Sequence, residues 1–139
     1  MTNVETITLE MARVLLKQAM ETQGRDFVYN PGGERRCLYI PATEDNLLEM
    51  GLGVGFALDQ DDPRRKTSCL IGVALDLHGE TRHHYSRESV YGLHSSFPRM
   101  MTEEAAHYFA QAQRNQDGGS TWGEAYDAAE YSLNVNLNE

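Results

Sequence analysis

The sequence predicts an α+β fold, mostly helical, with about five helices and one small antiparallel β-hairpin. Two observations carry this. Apolar residues recur at helical spacing in three segments, each opened by a capping signal, and two short runs rich in β-branched and aromatic residues flank a cluster of turn formers. At 139 residues the chain fits one domain, 1–139, with 41–66 read as an inserted loop region. Apolar residues at 40% and charged residues at 24% place it away from the composition of disordered chains.

The first helix is expected from residue 2 to about 23. Thr2-x-x-Glu5 has the form of a capping box, in which hydroxyl and carboxylate each satisfy an orphan backbone N–H. Leu9, Ala12, Leu16 and Met20 repeat on one face, Ile7, Met11 and Leu15 widen it, and Gly24 suits the position just past the end. The hairpin follows. Its arms are Phe27-Val28-Tyr29 and Cys37-Leu38-Tyr39-Ile40, and its turn is Asn30-Pro31-Gly32-Gly33-Glu34.

Residues 41–68 carry weaker signals. Leu47-Leu48-Glu49-Met50 suits the end of a short helix, Gly51-Leu52-Gly53-Val54-Gly55-Phe56 alternates glycine with apolar residues, and the charged, proline-broken stretch from Asp59 to Lys66 reads as a solvated loop. Cys69 to Leu77 is apolar nearly all round. Thr67 or Ser68 before it and Gly79 after it favour a short buried helix, with a central strand as the competing reading. Ser86 to Ser96 suits a further short helix, capped by Ser86 and closed by Pro98.

The clearest part is a helix-turn-helix from about Met101 to Leu133. Thr102 precedes Glu103 and Glu104, whose charges oppose the positive end of the helix dipole, and Ala105, Phe109 and Ala112 share a face. Asp117-Gly118-Gly119 ends that helix. Thr121-x-x-Glu124 is a second capping box, after which Trp122, Tyr126, Ala129 and Leu133 form a stripe.

No stretch approaches the roughly 20 apolar residues of a membrane span, and the N-terminus lacks the basic start and apolar run of a signal peptide. The expected compartment is the cytoplasm. There, Cys37 and Cys69, which form no C-x-x-C, read as buried free thiols. A net charge of −9 argues against non-specific binding to nucleic acid. The charge is uneven: Glu103, Glu104, Asp117, Glu124, Asp127, Glu130 and Glu139 face Arg114 alone after residue 100, whereas Arg64, Arg65, Lys66, Arg82, Arg87 and Arg99 outnumber the acids between them.

Signals for chemistry are sparse, and no catalytic residue or cofactor is assigned. Gly51-x-Gly53-x-Gly55 lacks the spacing and the lysine of phosphate-cradling loops. Asp59-x-Asp61-Asp62 begins like a calcium loop, but Arg64 and Leu70 stand where glycine and glutamate are needed. His78, His83 and His84 are weak zinc candidates, since no H-E-x-x-H or paired C-x-x-C supports them. The acids Glu124, Asp127 and Glu130 lie off the Trp122–Tyr126 stripe. A charged helix face is usually a solvated one; the functional alternative is a negative surface for a basic partner, with Trp122 as a neighbouring anchor.

Ser68-Cys69-Leu70-Ile71-Gly72-Val73-Ala74-Leu75 and Gln116-Asp117-Gly118-Gly119-Ser120-Thr121-Trp122-Gly123-Glu124-Ala125 together resemble a set of small uncharacterised proteins of actinobacteria and their phages. Those share a Cys-x-x-Gly-x-x-Leu element and a Gln-Asp-x-Gly-x-x-Trp-Gly-Glu-Ala turn. The resemblance implies provenance and brings no catalytic or binding residue with it. It inclines the reading to a non-enzymatic binding protein, phage-encoded and acting in the host cytoplasm, that engages a protein partner through its helical half. The alternatives are a metal-dependent or small-ligand enzyme using His78, His83 and His84, and nucleic-acid binding through residues 64–99. Several tyrosines leave room for a homodimer.

Overall fold

The computed structural model describes residues 4–29, 39, 43, 45–46, 67–81 and 89–137. Among these there are five helices: α1 (Leu9–Gln23), α2 (Leu70–His78), α3 (Val90–Ser96), α4 (Glu103–Asp117) and α5 (Trp122–Leu137).

No described residue belongs to a β-strand, which corrects the α+β expectation to an all-helical fold. The reason lies in where the first hairpin arm sends its backbone. The carbonyl of Phe27 in that arm, and that of Arg25 just before it, accept the N–H groups of Trp122 and Gly123 at 2.8 and 2.9 Å, so the arm is drawn to the start of α5, which it caps. Of the second arm only Tyr39 is described, and it is fully buried.

α1 is amphipathic in the expected way. Ala12, Leu15, Leu16, Ala19 and Met20 form its buried stripe. Its start differs: Thr8, not Thr2, is the N-cap, its hydroxyl accepting from Met11 N at 3.3 Å. The residues just before it are extended because Ile7 is taken up elsewhere. Ile7 forms a parallel bridge to Met101, giving its N–H to the Met100 carbonyl and receiving the N–H of Thr102.

The segment from Leu70 to His78 is a helix, and Gly79 at φ +86° closes it. The N–H groups of Gly79 and Glu80 return to the carbonyls of Asp76 and Leu75, a Schellman ending that requires the left-handed glycine. Cys69, rather than Thr67 or Ser68, occupies its N-cap position, with no side-chain cap of its own. Nor is Cys69 a free thiol: it is disulfide-bonded, while Cys37 lies outside the described residues. Gly72 lets this helix approach the backbone of Tyr39, where a Cβ would stand 2.5 Å from the carbonyl oxygen. α3 is shorter than expected, with Ser89 rather than Ser86 as its N-cap.

α4 is central and packs against each of the other four helices. A broad face of it is buried, from Ala105 to Gln116 and including Tyr108 and Phe109, while Glu103, Glu104 and Arg114 are exposed. Two of its buried residues are polar. Gln116 accepts the N–H of Leu70 at 2.8 Å and Gln113 that of Val90 at 2.9 Å, so one turn of α4 caps the N-termini of both α2 and α3. Gln113 also donates to the Tyr39 hydroxyl at 2.8 Å. α2 and α3 thus each have a buried orphan donor satisfied by α4.

The expected helix-turn-helix is present. Thr102 caps α4 through Ala105 N, Gly119 at φ +101° sits in a second Schellman ending, and Thr121 and Glu124 form the capping box reciprocally at 2.9 and 3.1 Å. The hydroxyl of Tyr108 reaches Glu130 at 2.6 Å, a contact symmetrical about the turn, so α5 runs back along α4.

Candidate functional site

The acidic face proposed for α5 is engaged within the fold. Glu124 completes the capping box. Asp127 pairs with Arg25. Glu130 receives two hydrogen bonds from the Arg13 guanidinium, at 2.8 and 3.0 Å, in addition to the Tyr108 hydroxyl. Arg13 and Tyr108 together hold the Glu130 carboxyl below its ordinary pKa, partly opposed by burial. Trp122 is fully buried, its ring edge-on to Phe27 with centroids 4.7 Å apart, and its indole N–H meets no acceptor among the described residues. Trp122, Asp127 and Glu130 thus hold α5 onto the rest of the fold, while Glu124 closes the helix's own first turn.

Of the histidine candidates, only His78 is among the described residues. His78, at the end of α2, donates from Nε2 to the Glu5 carbonyl at 2.7 Å, while His83 and His84 lie outside the described residues. Among the described residues no group of three or more His, Cys, Asp or Glu side chains is placed to hold a metal ion. Of the basic residues between 64 and 99, only Arg99 is described; it is exposed, and its carbonyl accepts from the Thr6 hydroxyl. The Gly51–Gly55 run and the Asp59–Lys66 stretch also fall outside. No helix among the described residues is long and apolar enough to cross a membrane.

A different surface has the shape of a site. A groove of about 740 Å³ lies where α1, α3, α4 and α5 meet, with Leu9 and Leu133 among its apolar lining. Its polar lining comes largely from the first turns of α4: Glu103, Glu104 and His107. On a helix, residues three and four apart are neighbours, about 5–6 Å between Cβ atoms, so both carboxylates stand next to His107. Opposite them, Tyr91 of α3 is 45% exposed yet held, its hydroxyl hydrogen-bonded to His107 Nδ1 at 2.9 Å. Glu103 and Glu104 are exposed and make no ion pair among the described residues. Arg13 lines the groove as well, but its guanidinium is committed to Glu130. The groove is therefore negative, with an ordered aromatic on one wall.

The sequence places Glu103 and Glu104 in the first turn of α4, as found, but marks them only as charges opposing the helix dipole, and it does not single out Tyr91 or His107. The available signal was Glu103-Glu104-x-x-His107, three polar side chains on one helical face. What the spacing lacks is the arrival of α3 alongside. Compared with family models, with curated proteins and with solved structures, the chain matches none.

Proposed function

We propose that this chain is a small acidic, non-enzymatic binding protein that engages a protein partner through its helical half, with the groove between α1, α3, α4 and α5 as the contact surface. One contrast supports the reading. The carboxylates of α5 at 124, 127 and 130 are used inside the fold, whereas Glu103 and Glu104 stand unpaired beside a half-exposed, hydrogen-bonded tyrosine. The helix dipole accounts for acids in the first turn of α4. It does not account for Tyr91, a large side chain fixed in an exposed position, the kind of residue that anchors interfaces at low entropic cost.

The resemblance to proteins of actinobacteria and their phages supports a phage-encoded protein acting on a host protein in the host cytoplasm. The test is affinity capture from host lysate at physiological salt. The wild-type protein retains a discrete partner, Tyr91→Ala and Glu103→Lys lose it, and Glu21→Gln, at an exposed site outside the groove lining, keeps it. Capture that survives both groove variants removes the groove from the reading; no capture at all removes the reading.

A further inference from the structure

We propose that the groove takes an arginine-bearing segment of the partner protein, its guanidinium seated between Tyr91 and the carboxylates of Glu103 and Glu104. This rests on the groove being the contact surface.

The charge of the groove selects a cation, because its two carboxylates are unpaired and its own arginine is committed to Glu130. The tyrosine selects among cations. A guanidinium is planar, stacks on an aromatic face and forks onto carboxylates, whereas an ammonium is a compact, strongly hydrated point charge. The hydrogen bond between His107 Nδ1 and the Tyr91 hydroxyl holds that ring beside the turn of α4 that carries both acids, so stacking and pairing act on the same group. Leu9 and Leu133 supply apolar surface for the arginine stem or an adjacent aliphatic residue of the segment, which a free small cation leaves uncovered.

Fluorescence anisotropy with labelled peptides tests this. The probes are the amphipathic peptide Ac-ARLLRALRA-NH2, the same peptide with lysine for arginine, and the same with citrulline, the neutral isostere of arginine; unlabelled agmatine serves as competitor. The arginine peptide binds, the lysine peptide binds several-fold more weakly and the citrulline peptide does not bind. Glu103→Gln and Glu104→Gln each weaken the arginine peptide by about tenfold, the loss expected for a charge-assisted hydrogen bond. Tyr91→Ala weakens it strongly and Tyr91→Phe, which keeps the ring but loses its hydrogen bond to His107, weakens it less; circular dichroism confirms that each variant folds. Equal binding of the lysine and arginine peptides overturns the proposal, as does indifference to either glutamine variant. Agmatine binding as tightly as the peptide overturns it in favour of a small cation, and a dimer that buries Tyr91 overturns it in favour of self-association. If the lysate partner remains Tyr91-dependent while the arginine peptide fails, the arginine proposal falls and the groove reading stands.

Discussion

The side-chain carbonyl of Gln116 accepts the backbone N–H of Leu70 at 2.8 Å, both groups buried, and so closes the N-terminus of α2 from a helix 46 positions further along the chain. Removing that acceptor strands a buried donor. Gln116→Met, close in size and apolar, should therefore destabilise the fold by about 1–3 kcal/mol in urea unfolding. A loss well below 1 kcal/mol would show that the Leu70 N–H finds another partner.

Glu130 makes stability sensitive to acid. Its folded-state pKa is depressed by Arg13 and Tyr108, so its contribution is fully present above the ordinary value of 4.5 and is lost as pH falls through the lower folded value. Arg13 is half exposed, which limits the effect to about 1 kcal/mol or less. In Arg13→Gln the acid limb of a stability-versus-pH curve should be shallower. An unchanged limb would show that this pair is screened out.

Asp117 acts in the opposite sense. Burial pushes its carboxyl up to about 6 from 3.8, partly offset by the hydrogen bond from Gln116 Nε2. The C-terminal end of α4, where the helix dipole is negative, is also an unfavourable place for its charge. Between those two values the folded chain holds a proton that the unfolded chain has released. Stability thus falls as pH rises from about 4 to 6 and is level above. Asp117→Asn should remove that slope and be more stable than wild type at pH 7, by thermal unfolding across the pH range.

Gly72 allows no side chain. Its added Cβ would sit 2.5 Å from the Tyr39 carbonyl oxygen and 2.8 Å from its Cα, and backbone does not rotate aside. Gly72→Ala should cost about 1–3 kcal/mol in spite of alanine's better helix propensity. A stabilised variant would mean that α2 and Tyr39 are further apart in solution.

Alkylation of the unreduced protein should leave Cys69 unlabelled by mass spectrometry, and reduction should lower stability by about 2–4 kcal/mol. A labelled Cys69 in protein drawn directly from a reducing cytoplasm would identify the dithiol as the working form.

Local signals were legible in the sequence and non-local ones were not. The caps at Thr102 and Thr121, the glycine ending at Gly119 and the stripe of α1 involve residues within four positions of one another. Thr2-x-x-Glu5 offered as good a cap as Thr121-x-x-Glu124, but the parallel bridge of Ile7 to Met101 draws the preceding residues out and moves the start to Thr8. The run Phe27-Val28-Tyr29 has strand composition, yet the Phe27 carbonyl caps α5. Nothing in the local pattern marks Gln113 and Gln116 as buried caps, because their partners are the amides of two distant helices. The groove was half legible: its acids lie together in sequence, whereas Tyr91 and Leu9 reach it only through the packing of α3 and α1.

The central place of α4 bears on the order in which the chain is made. α1 and α2 pack on each other, but Ile7, α1, α2 and α3 all also bury against residues 100–117, so that shared part of their docking surface is made only after roughly the first hundred residues. Contacts of such long sequence separation form slowly, and apolar segments waiting for them stay exposed to association. The fold therefore closes only once α4 is made, and truncations just short of residue 117 should be held by chaperones instead of folding.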